Sequence, residues 1–179
     1  MGAIDYWYVF FIKTSYELEA SKEIVSSFEL NEVKPLHFLV ENHFKKQGEV
    51  LKQNRMVFPG YLFVSSQLTN DEFILRVQDC VRKSRTIIRL LYYGDSMQAA
   101  IKQEERGLLE SLWKGKQSLE VSYGFFYGDR VYVVTGPLVG CESIIKRINR
   151  HKMQAVIELE FMGSLRNITV GLEILQRIN

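Results

Sequence analysis

The chain has 179 residues, 46% hydrophobic and 25% charged, which fits one globular domain or two small ones and excludes a disordered or fibrous chain. Its 23 Lys and Arg against 21 Asp and Glu leave a net charge of +2, so any affinity for nucleic acid must come from local patches. The two cysteines, Cys80 and Cys141, are too few and too far apart for a disulfide framework or a zinc site, and they suit a reducing compartment.

The first element is an apolar run at Trp7–Ile12, far shorter than the roughly 18 residues of a membrane span and preceded by Asp5 rather than a cation. A cytoplasmic protein with no membrane association is expected. Tyr6–Lys13, aromatic and β-branched, predicts a buried strand. Thr14 with Glu17 has the capping-box spacing, and Leu18, Ala20, Ile24, Val25 and Phe28 recur at helical intervals, predicting a helix from Ser15 to Phe28. Pro35 opens a strand over Leu36–Val40, and the polar, basic segment Asn42–Asn54, with Gly48 near its middle, predicts a hairpin or exposed loop. Val57–Val64 reads as the next strand, with Pro59 at an edge or bulge because it has no N–H to donate. Thr69 and Glu72 form a second capping-box candidate before a helix to Arg82, and Thr86–Tyr93 reads as a strand. A turn at Gly94–Asp95–Ser96 then leads to a helix from Met97 to Trp113. The order β-α-β-β-α-β-α predicts a sheet with helices on one face.

The texture changes after Trp113. Residues 114–123 look like a short linker, and beyond Gly124 come β-rich runs at Arg130–Val134, Glu142–Ile148, Ala155–Phe161 and Asn167–Gly171, separated by Gly and Pro. These predict a small barrel. Ile144, Ile148, Val156 and Leu159 also fit a helix face, so a helical reading of Cys141–Phe161 stays open beside the strands.

The chain carries no G-x-x-x-x-G-K, G-x-G-x-x-G or G-x-S-x-G, so neither a cofactor nor a catalytic residue is expected. His37 and His43 flank Glu41 without metal-ligand spacing, and no metal is expected. Cys80 lies near Arg82, Lys83 and Arg85, cations that would lower a thiol pKa; a structural thiol is the plainer reading.

Two stretches are more informative. Arg55-Met56-Val57-Phe58-Pro59-Gly60-Tyr61-Leu62-Phe63-Val64, read with Trp7-Tyr8-Val9, and Gly128-Asp129-Arg130-Val131-Tyr132-Val133-Val134-Thr135-Gly136-Pro137-Leu138 resemble, in this order, the NusG family of transcription elongation factors. The resemblance implies an α+β protein: an N-terminal NusG-type α/β sandwich, with an antiparallel sheet and helices, over 1–113, a linker at 114–123, and a small SH3-like KOW β-barrel over 124–179. Ile148-Asn149-Arg150-His151-Lys152 and Val170-Gly171-Leu172-Glu173-Ile174 are similar to the LoaP and UpxY-type antiterminators, specialised paralogues of which LoaP-type members recognise structured leader RNA. Two positions depart from the family pattern: Ser143 stands where the KOW motif has glycine, and Ser96-Met97-Gln98-Ala99-Ala100 replaces a Pro-rich segment.

The aromatic cluster is by default a core, yet alternation cannot hide Phe58, Tyr61 and Phe63 with Tyr8 and Phe10 on one face. The resemblance implies that Tyr8, Phe58, Pro59 and Tyr61 contact the clamp helices of bacterial RNA polymerase. Lys146, Arg147, Arg150, His151 and Lys152 fall within seven residues; a hairpin turn there would gather about four positive charges, the footprint of a phosphate reader, with a merely solvated tip as the rival. Arg166 is counted with them as RNA-binding. A second basic group holds Arg82, Lys83, Arg85, Arg89 and Lys13; the resemblance implies that Lys13 and Arg85 help read the displaced, non-template DNA strand, and Lys83 is counted with them as a candidate DNA or RNA contact. Lys45, Lys46, Lys52 and Arg55 make a third group.

The whole reads as a monomeric, operon-specific antitermination factor without catalytic chemistry. It would hold polymerase through the N-terminal domain and a structured leader RNA through the KOW domain. The alternative is a general adaptor whose KOW domain couples polymerase to the ribosome or the termination machinery.

Overall fold

The computed structural model describes residues 5–178. They form a mixed α/β fold with three α-helices and twelve strands, in two compact units. The first unit holds the described residues up to His37 together with Phe58–Arg106; the second holds Phe38–Val57 and Gly107 onward. The second unit thus takes in the segment 38–57 and residues 107–123 along with the C-terminal strands.

In the first unit β1 (Tyr6–Ile12) is a central strand. It pairs antiparallel with β5 (Tyr61–Ser66) and β6 (Ile87–Leu90), and β2 (Val33–Leu36) completes the order β2-β5-β1-β6. Tyr8, Phe10 and Ile12 point to one face, where they pack with Ala20 and Ile24 of α1 (Glu17–Ser26) and Phe73, Ile74 and Val77 of α2 (Asn70–Lys83). A strand buried on both faces explains why its sequence shows no polar alternation.

Several boundaries differ from the sequence reading, each for a local reason. The Thr14–Glu17 box does not form: α1 begins at Glu17 with Tyr16 as N-cap, and the Glu17 carboxylate accepts instead from the N–H groups of Ser15 at 3.3 Å and Gly60 at 3.2 Å. Its buried face is Ala20, Ser21 and Ile24, while Leu18 and Val25 are exposed. The Thr69–Glu72 box does form, with the Thr69 N–H donating to Glu72 at 2.9 Å. The strand expected over Leu36–Val40 is two strands, β2 ending at Leu36 and β3 beginning at Leu39. Phe58-Pro59-Gly60 forms a turn before β5, closed by the Tyr61 N–H on the Phe58 carbonyl at 3.1 Å. The last helix, α3, spans only Gln103–Trp113. Upstream of it the Asn70 side-chain oxygen takes the N–H groups of Ala99 (2.8 Å) and Ala100 (3.2 Å), and the Ile101 N–H donates to the Trp7 carbonyl, so these amides serve other partners than a helix.

In the second unit, β3 (Leu39–Lys46) and β4 (Glu49–Met56) form a hairpin, the first of the two readings open for Asn42–Asn54. Its two-residue turn has Gln47 and Gly48 both at positive φ, the primed-turn geometry that matches strand twist. β7 (Ser118–Leu119), inside the expected linker, pairs parallel with β3. β8 (Ser122–Tyr127), β9 (Arg130–Thr135), β10 (Ile145–Asn149), β11 (Gln154–Phe161) and β12 (Ser164–Ile178) form one sheet in the order β10-β11-β12-β8-β9. Strands therefore prevail over the helical reading of Cys141–Phe161, apart from a 3-10 turn at Glu142–Ile144. The expected closed barrel is not formed by the strand ladders: β9 and β10 are the two ends of the order. Between them lies the 3-10 turn, whose Glu142 carboxylate accepts the Val133 N–H of β9 at 3.1 Å. On β11 the inward residues Ala155, Ile157, Leu159 and Phe161 are buried.

Candidate interaction surfaces

The expected polymerase patch divides into core and surface. Tyr8 is fully buried: its ring stacks on Phe73 at 3.7 Å, its hydroxyl donates to the Leu68 carbonyl at 2.7 Å, and burial pushes its pKa up. It belongs to the helix-side core because β1 turns it toward α2, and it is removed from the set of contact residues. Phe58 is buried against Phe63, rings 5.1 Å apart. Trp7 is also buried, with the Arg106 guanidinium 5.0 Å from its ring. Pro59 is exposed and Tyr61 half-buried. Phe11, which sequence reasoning passed over, is half-buried opposite Tyr61 in register, with ring centroids 5.6 Å apart. Its signal was present in the alternation: three residues from Tyr8, Phe11 must face the other side of β1.

The basic residues of this unit are partly brought together. The Lys13 N–H donates to the Thr86 carbonyl at 2.9 Å, which sets exposed Lys13 beside exposed Arg85 at one end of the sheet. Lys83 and Arg85 line a cavity of about 490 Å³ with Arg76, Asp79, Glu23, Cys80 and three serines. Arg82 is held by Asp79 at 2.7 Å and Arg76 by Glu32 at 2.9 Å. Burial raises the Cys80 thiol pKa, the reverse of what a nucleophile needs.

On the hairpin, Glu41 accepts from His43 at 2.7 Å and Lys52 at 3.3 Å. Burial alone would raise the Glu41 pKa; those two hydrogen bonds more than offset it and hold the carboxyl below its ordinary range. His43 is thus buried in a carboxylate pair, and no group of three His, Cys, Asp or Glu among the described residues is arranged to hold a metal. Arg55 donates to the Thr169 carbonyl of β12 at 2.9 Å. The side chains of Lys45 and Lys46 lie outside the described set.

The C-terminal cluster forms a turn, as the sequence suggested. β10 and β11 pair with Asn149 opposite Gln154, leaving Arg150–Met153 as the connection. The Asn149 side-chain oxygen accepts the Lys152 N–H at 3.0 Å, and the Met153 N–H donates to the Arg150 carbonyl. Arg147, Arg150, His151 and Lys152 are exposed and make no ion pair among the described residues. Lys146 is neutralised by Glu158 at 3.0 Å. Arg166 is opposite Leu159, five residues along β11 from Gln154 and therefore about 17 Å from the turn. It does not join the cluster; antiparallel pairing carries it to the far end of the sheet.

Comparison with known proteins gives a consistent outcome. A family model described as "Transcription termination factor nusG" matches residues 5–109. The chain is 22% identical over 161 residues to the transcription termination/antitermination protein NusG of Lactococcus lactis, covering 86% of this chain and 83% of that protein. With the protein of the same name from Chlamydia trachomatis it shares 22% over 166 residues, 88% of this chain and 86% of the other. A solved structure titled "Domain interaction in Thermotoga maritima NusG" superposes with a TM-score of 0.50 at 21% identity, covering 97% of this chain and 96% of that one, a likeness of fold.

Proposed function

The chain belongs to the NusG family of transcription termination/antitermination factors, and from that membership we propose that it is a specialised, operon-specific antitermination factor of the LoaP/UpxY type. In this reading residues 1–113 are the polymerase-binding domain, 114–123 the connection, and 124–179 a KOW-type, SH3-like domain that binds a structured leader RNA. The protein works in the cytoplasm as a monomer and without catalysis. The described residues contain no helix long and apolar enough to cross a membrane.

Pro59 and Tyr61, flanked by Phe11 and supported from below by Phe58, would seat against the helices of the polymerase clamp. Preferential binding to the elongating form would then disfavour paused and terminating states. Lys13, Lys83 and Arg85 would face nucleic acid, with the displaced DNA strand as the candidate. The KOW domain would select the transcript.

The observation that carries the RNA reading is the exposed turn at Arg150–Lys152 with Arg147 beside it, four side chains without acidic partners among the described residues. A compact cationic turn suits an A-form stem, which is recognised through backbone and shape. The test is a gel-shift series of the full chain on its own operon's leader RNA across salt concentrations. Each phosphate contact contributes about 0.7–0.9 to the slope of log affinity against log salt, so the triple variant Arg147→Ala/Arg150→Ala/Lys152→Ala should lose about two units. Lys146→Ala should change the slope little, because Glu158 already holds that ammonium. Polymerase co-purification should survive the triple variant and fail for Tyr61→Ala.

The adaptor reading is favoured by one feature, the exposure of Val139, Leu165 and Leu175 in the same unit, which suits an apolar protein contact. It expects an unchanged slope in the triple variant.

A further inference from the structure

A second surface of the C-terminal sheet has no part in the reading above. Along β8 the residues alternate: Ser122 and Gly124 are buried, whereas Phe125 is half-buried and Tyr127 is 59% exposed. On β9, Tyr132 is opposite Phe125 and Arg130 is opposite Tyr127. Cross-strand partners share a face, so these four side chains form a two-by-two array with rings at three corners and a guanidinium at the fourth. The Phe125 and Tyr132 rings are 5.6 Å apart and only 17° from parallel. Tyr132 remains 42% exposed, and Tyr127 lies two residues on from Phe125, about 7 Å away.

We infer that this array is a stacking platform for the bases of single-stranded RNA, continuing from the basic turn; the continuation rests on the RNA reading proposed above. Three observations select that occupant. Two of the three rings, Tyr127 and Tyr132, are exposed and Phe125 is half-buried between them across β8 and β9, a run of π-faces of the kind on which successive bases stack whatever their sequence. The charge at the platform is complementary to a phosphate chain: exposed Arg130 makes no ion pair among the described residues, and the nearby carboxylate of Asp129 is taken by Arg177 at 3.0 Å. Glu173, in register with Tyr123, lies beyond the array. Third, the platform is joined to the turn by the sheet itself. The Leu172 N–H donates to the Met153 carbonyl of the turn, and Leu172 pairs with Ser122, the first residue of β8. From Ser122 to Tyr127 is about 17 Å, the length of a few nucleotides. RNA leaving a stem gripped at Arg150–Lys152 would therefore run along β8.

Two probes test this with the full chain: an RNA hairpin carrying a single-stranded uridine tail, and the same hairpin with a blunt end. The wild-type protein should bind the tailed hairpin more tightly. Tyr127→Ala/Tyr132→Ala should lose that advantage, by about 5-fold or more per base unstacked, while blunt-hairpin binding is unchanged. Tyr127→Phe/Tyr132→Phe, which keeps both rings, should behave as wild type. Equal affinity of wild type and the double Ala variant for the tailed hairpin overturns the platform and leaves the basic-turn reading intact. If the blunt hairpin is not bound by any form, the basic-turn reading fails; an isolated uridine oligonucleotide then decides the platform, supported by binding that the double Ala variant loses and overturned by no binding. Loss of a co-purifying protein with RNA affinity unchanged also overturns it and assigns the surface to a protein ligand.

Discussion

β1 and β8 are the two most aromatic strands among the described residues, Tyr6-Trp7-Tyr8-Val9-Phe10-Phe11-Ile12 and Ser122-Tyr123-Gly124-Phe125-Phe126-Tyr127, and their aromatics have opposite fates. In β1 five of seven residues are buried, because the strand is central in its sheet and α1 and α2 cover Tyr8, Phe10 and Ile12. In β8 none of the four aromatics reaches that class, and Tyr127 is 59% exposed. An aromatic residue in a strand is thus core or surface according to what covers its face, information that composition does not contain.

The sharpest way to break this contrast is to truncate one ring in each strand. Tyr8→Ala removes a stacked ring and strands the Leu68 carbonyl, and should cost about 3–5 kcal/mol, read as a large fall in the urea midpoint at constant m. Tyr132→Ala should cost about 1 kcal/mol or less, the worth of a cross-strand pair on an open face. Comparable losses at the two sites would mean that β9 is covered after all.

The next effect lies beneath the β8 platform. A Cβ at Gly124 would stand 2.4 Å from the Tyr132 carbonyl oxygen, a backbone atom that cannot swing aside. Gly124→Ala should therefore cost about 1–3 kcal/mol and also part Phe125 from Tyr132. It should weaken binding of the tailed RNA together with a clear loss of stability, whereas Tyr132→Ala should weaken binding at the smaller stability cost given above.

How much of this was legible in the sequence varies with the range of the forces involved. β1, α2, β9 and β11 follow from local pattern and turn residues, and their positions agree with it within a residue or two; β3 and β4 extend beyond both ends of Asn42–Asn54, the segment read as a hairpin or an exposed loop. The basic turn was legible because its residues are contiguous. Arg166 was not, since only strand register decides which end of the sheet it occupies. Tyr8 was misplaced as a contact residue for the same kind of reason: the face of β1 that meets Phe73 is set by packing sixty-five residues away in the chain. Nor could β7 and β8 be read from the sequence: the expected linker at 114–123 covered β7 and only the first two residues of β8, and their parallel partners, β3 and β12, are far away in the chain.

The smallest effect compares two motifs that look alike as sequence. Thr14 and Thr69 each precede a Glu by three residues, yet only Thr69 completes a capping box. At Thr69 the Glu72 carboxylate takes both the hydroxyl (2.7 Å) and the backbone N–H (2.9 Å), and these bonds hold the Glu72 pKa below its usual value. At Thr14 the corresponding carboxylate of Glu17 is drawn to the Gly60 N–H, and Ser15 sits at φ +72° outside any capping geometry. Thr69→Ala should cost about 1 kcal/mol, the usual value of a lost N-cap. Thr14→Ala should cost less than about 0.5 kcal/mol, like an ordinary surface substitution. Glu17→Ala gives the third measurement: because the Glu17 carboxylate accepts from the Gly60 N–H and so braces the turn before β5 rather than a cap, the substitution should disturb Tyr61 and with it polymerase co-purification, while Glu72→Ala should leave that binding untouched. Equal costs at Thr14 and Thr69, or binding indifferent to Glu17, would return the first helix to the simpler description its sequence invites.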